Sequence, residues 1–389
     1  MRSIRPLLAA SGLAAALALT ATACGPGGND ADSKPSAASS ASAGGGATAP
    51  SDLADALKKH GVDLDTWKKG GWKNWDKGTW LRQAKDFVNP VIDGLWKPDR
   101  MKSAKDPQKT MAAGDVNGGT GISDPVPAPV RAVQEKLPYH QYAAPVGKVF
   151  FDSPEGPMVC SGTVVKDPAH PGRSNMVWTA GHCVHQGGSG GWYRNIAFVP
   201  SYNDKGKSAA ALNNARPEEI APYGVYWADW ASTSNEWIND GGPTGGTGAP
   251  YDYAVLHVKP ENGTKSLEET VGNALTVNFS APQAKSVASM GAWGYPAAPP
   301  YDGLQMFRCV DRPSQLSISP GTPPMYRIGC TMTGGSSGGG WFMNGPDGKA
   351  QLVSNTSIGP VTSGWLAGPQ LGAGAKSLFD SMSAKYGGR

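Results

Sequence analysis

The stretch TMTGGSSGGGWF, residues 331–342, supports two incompatible interpretations. Its composition is that of a flexible glycine and serine linker. Its pattern is that of a serine on a tight turn between glycines, because only glycine tolerates the backbone that such a turn requires. A similar string around Ser189, QGGSGGW at 186–192, shows that the letters alone do not separate a catalytic turn from a surface loop. The decision therefore rests on the rest of the chain.

The whole chain has the composition of a β-rich protein. Its 389 residues include 53 Gly and 33 Pro, and only 17% are charged, which favours strands and turns over a helical bundle. Short apolar runs alternate with Gly, Pro, Asn and Asp, as in a β-barrel or sandwich. The runs are GKVFF (147–151), VCSGTVV (159–165), NMVWTAG (175–181), NIAFVPS (195–201), DYAVLHV (252–258), SVASMGAWGY (286–295), MYRIGC (325–330) and AQLVSNTSI (350–358). The exception is GAKSLFDSMSAKYG (374–387), which predicts one C-terminal helix.

The N-terminus has the features of an export signal. Arg2 and Arg5 precede an apolar run of about 17 residues, which is short for a membrane span and normal for a signal peptide. Residues 1–23 are therefore predicted to be a signal peptide. The string ATAC resembles a bacterial lipobox, which implies a lipid on Cys24 and membrane anchoring, whereas ATA at 21–23 is also a plain cleavage site for free secretion. Both alternatives predict an extracellular protein.

Two segments separate this signal from the β-rich part. Residues 24–50 are small and polar without apolar periodicity, so they are predicted to be a disordered tether. Residues 51–125 are rich in tryptophan and begin with SDLADALKKHG (51–61), which carries start and stop signals of a helix. Tryptophans among cations suit either a polymer-binding surface or the sparse core of a pro-segment or spacer, and no second motif supports binding. The β domain is predicted to span 126–389.

Cysteine usage agrees with export. Five cysteines are an odd number, and assigning Cys24 to a lipid leaves Cys160, Cys183, Cys309 and Cys330. These four allow three pairings, of which the short loops favour Cys160 with Cys183 and Cys309 with Cys330. Disulfides are expected in an oxidising compartment.

Three polar residues are candidates for acyl-transfer chemistry. His182 follows an apolar run and precedes Cys183, and histidine is the natural general base near neutral pH. Asp252 directly precedes the run YAVLHV, where its carboxylate can orient a neighbouring imidazole. Ser337 has Gly335 two residues before it, so the N–H groups of both can point into one small space. Each residue alone has an ordinary structural interpretation, and their order along the chain carries the hypothesis.

TAGHC, DYAVL and GGSSGG together resemble the three motif blocks of chymotrypsin-like serine peptidases. GYP at 294–296 followed by GGSSGG is similar to the bacterial glutamyl-endopeptidase branch. The resemblance covers roughly residues 145–389 and implies two six-stranded antiparallel β-barrels with the site in the cleft between them. It implies that His182 is the base, Asp252 its orienting partner and Ser337 the nucleophile. It also implies an oxyanion hole from the N–H groups of Gly335 and Ser337, and a family disulfide between Cys160 and Cys183.

The sequence departs from this family at the residue before the nucleophile and at the positions that set specificity. Ser336 precedes the nucleophile where relatives carry Asp, Asn or Gln. Thr331 stands where trypsin-like relatives have the Asp that binds basic side chains. In the best match to the strand that lines the pocket, VSNT, Val353 occupies the place of the His of glutamyl-specific relatives and Ser354 follows it. We therefore expect a neutral substrate side chain on the acyl side of the cut.

The sequence thus predicts an exported serine endopeptidase that cleaves peptide or protein substrates through an acyl-enzyme. An alternative is a cell-envelope binding protein in which the Trp-rich unit grips a polymer and the peptidase-like domain is catalytically silent. Esterase activity at the same site is a third reading. The net charge of +4 is too small to imply nucleic acid, and the six histidines lack metal-ligand spacing. We expect a monomer without nucleic acid, metal or cofactor.

Overall fold

The computed structural model describes residues 58, 63–75, 89–107, 110–111, 123–188, 190–362 and 364–386. The chain divides into two compact units, Met1–Gly45 and Gly46–Arg389. The first unit lies outside the described residues, as do the predicted signal peptide, Cys24, the predicted tether, Ser189 and most of the predicted helix at 51–61. Within the described part of the chain, no helix is both long enough and apolar enough to cross a membrane.

Strands dominate the described elements, which confirms the predicted all-β class. The strands are β1 (Thr110–Met111), β2 (Val133–Gln134), β3 (Val146–Ser153), β4 (Gly156–Val165), β5 (Met176–Thr179), β6 (Arg194–Pro200), β7 (Tyr226–Thr233), β8 (Ala254–Pro260), β9 (Thr276–Val277), β10 (Met290–Gly294), β11 (Phe307–Asp311), β12 (Ser314–Leu316), β13 (Met325–Cys330), β14 (Gly340–Asn344), β15 (Ala350–Asn355), β16 (Gly359–Pro360) and β17 (Gly364–Pro369). The helices are α1 (Leu64–Lys68), α2 (Pro98–Ser103), α3 (Tyr139–Tyr142), α4 (Ala209–Leu212), α5 (Pro217–Ile220), α6 (Asn235–Asp240), α7 (Leu267–Val271) and α8 (Ala373–Tyr386). Short 3-10 helices occupy Gly71–Lys73, Gly181–Cys183, Gly246–Tyr251 and Ala284–Ser286.

The first half of the β domain is a closed six-stranded barrel. Its strands follow the order β3-β4-β5-β8-β7-β6, and all neighbours pair antiparallel. Successive side chains of a strand point to opposite faces, so Val149 and Phe151 enter the barrel core while Phe150 packs outside it against Trp96. Both faces of β3 are therefore covered, and every residue of the strand is buried.

The second half consists of two sheets around one core. One sheet has the order β2-β11-β10-β14-β15-β9 and the other has the order β12-β13-β17. Ile328, Trp341 and Leu366 from the two sheets meet in one buried cluster, and a disulfide joins Cys309 of β11 to Cys330 of β13. The chymotrypsin-like layout is confirmed, with one difference: the strands expected to form the second barrel are divided between two sheets.

The predicted C-terminal helix is α8, and it closes one side of the first barrel. Phe379 and Met382 pack with Trp178 in a shared buried cluster. The hydroxyl of Ser383 donates a 2.5 Å hydrogen bond to the buried carboxylate of Asp167. The helix α8 is thereby held against the barrel wall.

The described residues between 63 and 111, called here the N-terminal segment, pack on the outside of the same barrel. The guanidinium of Arg194 on β6 lies 5.0 Å from the ring centre of Trp67 and 4.1 Å from that of Trp75. It donates to the carbonyl oxygens of Trp72 and Asn74. Burial lowers the pKa of Arg194 to about 10, still far above neutral, so the cation remains charged beneath these rings. Two further contacts continue this anchoring: Trp96 donates through Nε1 to the Asn195 carbonyl at 2.7 Å, and Arg100 pairs with Asp152.

Candidate active site

His182 lies on the 3-10 turn Gly181–Cys183 that follows β5, and its imidazole is fully buried. The disulfide between Cys160 and Cys183 ties this turn to β4, which confirms the predicted pairing. Gly181 lets the turn approach Trp237, because a Cβ at this glycine would lie 2.8 Å from the Trp237 Cγ atom. The position of the imidazole is therefore fixed by a covalent bond and by close packing. The sulfurs of Cys160 and Cys183 lie near His182, but they are bonded to each other and offer no thiolate to a metal.

Asp252 meets His182 from the start of β8. Its Oδ2 atom lies 2.7 Å from His182 Nδ1, and its Oδ1 atom accepts a 2.8 Å hydrogen bond from the His182 backbone N–H. The hydroxyl of Ser357 donates to Oδ2 at 2.5 Å, and the side chain of Asn355 donates to the Asp252 carbonyl at 2.9 Å. A carboxylate with three donors in a buried site holds the imidazole in one orientation, with Nδ1–H directed at Asp252.

Ser337 lies on a glycine-rich turn that packs closely against the first barrel. Gly335 and Gly338 have φ angles of +91° and +77°, a region that favours glycine. A Cβ at Gly338 would lie 2.5 Å from the Ser161 carbonyl oxygen and 2.9 Å from the Ala180 nitrogen. The Ser337 carbonyl accepts a 2.7 Å hydrogen bond from Ser161 N–H. The sequence GGSSGGG is therefore a tightly packed turn whose position is fixed by its contacts with the barrel. One of these contacts is with Ala180, which lies two residues before His182 in the sequence.

Ser336, the residue that differs from the family pattern, closes this turn locally. Its hydroxyl donates a 2.7 Å hydrogen bond to the Thr333 carbonyl, and its side chain is buried. The Ser161 hydroxyl donates to the Gly335 carbonyl at 2.9 Å and accepts from the Tyr295 N–H at 2.9 Å. These bonds hold the Thr333 and Gly335 carbonyls in place.

Several polar groups on this turn and on the turn that bears His182 have no hydrogen-bond partner among the described residues. They include the buried Nε2 atom of His182 and the backbone N–H groups of Gly335 and Ser337. The Ser337 hydroxyl makes no hydrogen bond to His182 within the described structure. Such contacts often form only when substrate binds. The arrangement leaves one proton acceptor and two amide donors available for a ligand.

A cavity of about 330 Å³ opens beside Ser337. Met332, Thr333 and Ser336 line one side, and Thr356, Ser357 and Ile358 line the other. Ser357 thus connects the cavity wall to Asp252.

The three residues predicted to line the pocket do not line this cavity. Val353 is fully buried in the core of the second half, and Ser354 donates to the Pro369 carbonyl at 2.7 Å. Thr331 accepts a hydrogen bond from the Ala132 N–H at 2.9 Å. Val353 and Ser354 lie within β15, which ends at Asn355. The cavity wall is instead formed by residues that follow this strand.

Two residues of the site were not identified from the sequence. Ser357 belongs to the run AQLVSNTSI, where no pattern separates its hydroxyl from that of Ser354. Asp106 comes from the N-terminal segment and is the one charged residue among the described residues that line the cavity. Nothing in the sequence relates Asp106 to residues more than two hundred positions later.

Three solved structures are similar to this chain. A thermostable serine protease, AL20, from an extremophilic microorganism is 31% identical, with 62% of this chain and 98% of that chain covered and a TM-score of 0.50. Protease Anisep from Arthrobacter nicotinovorans is 29% identical, with 65% and 99% covered and a TM-score of 0.49. A Glu endopeptidase in complex with MPD is 15% identical, with 68% and 100% covered and a TM-score of 0.46.

The sequence matches no family model and no curated protein. The similarity to the AL20 protease extends over nearly all of that protein. Together with the closed barrel, the second β module and the bridge between Cys160 and Cys183, this places the chain in a family. The protein belongs to the chymotrypsin-like serine peptidases.

Proposed function

We propose that the protein is an exported serine endopeptidase in which Ser337 is the nucleophile. The observation that carries the proposal is the hydrogen bond of 2.7 Å between His182 Nδ1 and Asp252 Oδ2, which leaves Nε2 of the buried imidazole without a hydrogen-bond partner among the described residues. An imidazole with Nδ1–H directed at a carboxylate presents its lone pair at Nε2, as a general base requires.

The proposed reaction has two halves. The Ser337 hydroxyl attacks the carbonyl carbon of a peptide, its proton passes to His182 Nε2, and the oxyanion accepts hydrogen bonds from the N–H groups of Gly335 and Ser337. The imidazolium then gives the proton to the leaving amine, and the C–N bond breaks. Water, activated by His182, hydrolyses the acyl-enzyme in the same way and restores the serine. Asp252 stays ionised and stabilises the imidazolium throughout.

The substrate side chain on the acyl side is proposed to be neutral. Apart from Asp106, the described residues that line the cavity, including Met332, Thr333 and Ile358, carry no charge. Thr331, which sequence comparison places at the trypsin-like specificity position, is engaged with Ala132. A peptide panel tests this preference, and dominant cleavage after Arg or Glu would contradict it.

Export and location are proposed on separate grounds. The disulfides Cys160–Cys183 and Cys309–Cys330 are compatible with an oxidising compartment. The signal at 1–23 and the lipid on Cys24 remain proposals from the sequence, because these residues are outside the described structure. Mass spectrometry of the protein from its own membrane fraction would detect a lipidated Cys24, and a mature chain beginning after residue 23 without lipid would favour secretion.

Active-site labelling tests the catalytic assignment. The full chain is expected to react with a fluorophosphonate probe, and Ser337→Ala is expected to abolish the reaction. Ser336→Ala is the matched control, because it removes the adjacent hydroxyl and one hydrogen bond to Thr333 but leaves Ser337 in place. Labelling that survives Ser337→Ala and disappears in Ser336→Ala would refute the assignment. Absence of labelling in every form of the protein, including any form trimmed before residue 123, would favour the catalytically silent alternative.

A further inference from the structure

A loop in the second half of the β domain packs directly against the turn that bears Ser337. Residues 295–303, called here the supporting loop, directly follow β10. The Ala297 N–H of this loop donates a 2.6 Å hydrogen bond to the Gly334 carbonyl. At Gly335 a Cβ would lie 2.7 Å from the Ala297 Cβ atom and 2.9 Å from the Ala297 nitrogen. The two glycines therefore rest on Ala297.

The hydrogen bond from Ala297 sets the direction of a proposed oxyanion donor. The Gly334 carbonyl and the Gly335 N–H belong to one peptide unit, which is planar and trans, so the two groups point in opposite directions. Because Ala297 holds the carbonyl on the side of the supporting loop, the Gly335 N–H is directed away from that loop. A rotation of this peptide unit would take the donor away from a substrate oxyanion. Whatever holds the supporting loop in place therefore also orients this N–H group.

Two paired residues of the first barrel hold the two ends of the supporting loop. Lys148 on β3 and Ser161 on β4 lie directly opposite each other, so their side chains share one face of the barrel sheet. The Ser161 hydroxyl accepts a 2.9 Å hydrogen bond from the Tyr295 N–H, at the first residue of the loop. The Lys148 Nζ atom donates to the Gly303 carbonyl at 2.6 Å, at the last residue of the loop. The first barrel thus restrains the supporting loop at both ends.

Gly303 connects the Lys148 contact to the part of the loop that touches the turn. Its N–H donates to the Pro296 carbonyl at 2.8 Å, which closes the loop beside Ala297. The φ of Gly303 is +75°, and a Cβ there would lie 2.9 Å from the Ala297 Cβ atom and 3.3 Å from Lys148 Nζ. A displacement of Gly303 is therefore passed to Ala297 by direct contact.

The burial of Lys148 calls for a reason, because burial of an ionisable side chain costs free energy. Lys148 is only 2% exposed, and its Nζ atom lies 5.2 Å from the ring centre of Phe150 and 4.8 Å from that of Tyr202. Burial lowers the pKa of Lys148 to about 7, against the attraction of Asp302. The nitrogen carries N–H groups both as an ammonium and as an amine, so it can hold Gly303 on either side of this value.

We propose that Lys148 is a positioning residue for the reaction, which holds the supporting loop so that the Gly335 N–H stays directed at the oxyanion. The inference rests on the proposed function, because it assigns a support to the oxyanion hole of that same site. Lys148 acts on the reaction through Gly303 and Ala297 and not through a contact with the substrate.

Hydrogen exchange of the Ala297 amide tests this support without reference to activity. Lys148→Met removes the donor and keeps a side chain of similar length that suits a buried site. The Ala297 amide, which is bonded to the Gly334 carbonyl in the parent, should exchange roughly tenfold faster or more in this variant. Lys259→Met is the matched control, because it removes a lysine from another strand of the same barrel that pairs with Asp229 at 3.1 Å. An unchanged exchange rate in Lys148→Met would overturn the inference, whether or not the protein is active.

Kinetics on a peptide substrate test the effect on the reaction. With reactive sites counted by fluorophosphonate labelling, kcat per site in Lys148→Met is expected to fall at least about tenfold, short of the roughly 100- to 1,000-fold cost of losing an oxyanion donor outright. KM should stay nearly unchanged, because the oxyanion forms only in the transition state. Gly303→Ala should lower kcat in the same way by displacing Ala297. Gly348→Ala is its matched control, since φ is also +75° there and a Cβ would have no heavy atom within 4 Å.

The two measurements separate this inference from the proposed function. Faster exchange at Ala297 together with a lower kcat in Lys148→Met supports the positioning role. A kcat equal to that of the parent would overturn it, as would a higher KM with an unchanged kcat, because Lys148 would then affect substrate binding. Faster exchange at Ala297 in a protein that the probe never labels would refute the peptidase and support the restraint of the loop by Lys148.

Discussion

Replacing Gly338 with alanine tests how closely the turn behind Ser337 packs against the barrel. The left-handed backbone of Gly338, with φ of +77°, costs an alanine about 1–2 kcal/mol. The added Cβ would also lie 2.5 Å from the Ser161 carbonyl oxygen and 2.9 Å from the Ala180 nitrogen. These are backbone atoms of a closed barrel and move little, so overpacking adds about 1–3 kcal/mol. The expected loss in the free energy of unfolding is therefore about 2–5 kcal/mol.

Gly348 provides the matched control for this substitution. Its φ of +75° is nearly that of Gly338, but a Cβ there would have no heavy atom within 4 Å. Gly348→Ala is expected to lose only the backbone cost of about 1–2 kcal/mol. Guanidinium unfolding measures both variants, and the fluorophosphonate reaction measures the position of Ser337. That reaction should slow by roughly 100-fold in Gly338→Ala, since a displacement of about 1 Å has that effect on a catalytic group. Equal stability losses in the two variants, within about 0.5 kcal/mol, would refute the packing argument.

Three further predictions concern other parts of the molecule. Ser357→Ala removes a 2.5 Å hydrogen bond to the Asp252 carboxylate, and such bonds to charged groups contribute about 1.5–3 kcal/mol. We expect kcat/KM to fall roughly 10- to 150-fold, whereas Ser354→Ala on the same run should have little effect. Replacing Cys160 and Cys183 together by alanine opens a loop with a sequence separation of 23; the expected loss is about 3 kcal/mol in the free energy of unfolding, and an unchanged unfolding midpoint would contradict it. Burial lowers the pKa of Lys148 from 10.5 to about 7, so the folded protein binds fewer protons than the unfolded chain between these values and this residue makes stability rise with pH there. In Lys148→Met that contribution is absent. If the difference in the free energy of unfolding between parent and variant stays constant from pH 7 to about 10, the lowered pKa of Lys148 is refuted.

The β-rich fold could be predicted from the sequence because several of its longer strands are apolar runs between turn residues. The runs at 147–151 and 175–181 correspond to β3 and β5 of the closed barrel. The barrel strand β7 was not identified, because YWADWAST mixes polar and aromatic residues and carries a register shift between Ala228 and Trp230. Hydrophobic periodicity over a few residues does not identify a strand that contains a register shift and becomes buried only when the barrel closes.

The candidate site, like the fold, could be predicted only in part from the sequence. His182 and Asp252 could be proposed from the sequence because each adjoins a recognisable strand, and the structure joins them by hydrogen bonds. The cavity wall could not be predicted from the sequence. Which residues follow β15 into the wall depends on how β15 pairs with its neighbours, and one sequence does not specify that pairing. Thr331, Val353 and Ser354 do not line the cavity beside Ser337, and their role in a substrate pocket stays a prediction.

The N-terminal segment could be recognised as a separate unit but not placed. Its tryptophans suit either a binding surface or a small core, and in the structure Trp67, Trp72 and Trp96 are buried with the first barrel. Arg194, which stacks against two of the segment's tryptophan rings, lies at the start of β6, one residue before the apolar run 195–201. Contacts between residues that are more than a hundred positions apart in the sequence leave no local sequence pattern.

The dense packing of the turn at 334–340 also changes how its sequence should be handled in the laboratory. Low-complexity filters and domain-boundary rules treat a run such as GGSSGGG as a convenient place for a tag, a cut or a fusion joint. Here the amides of Gly338 and Gly339 donate to the Thr356 and Ser336 carbonyls at 2.8 Å and 3.0 Å, so their hydrogen exchange should be slow. A junction engineered into this run would disrupt closely packed backbone rather than lengthen a tether.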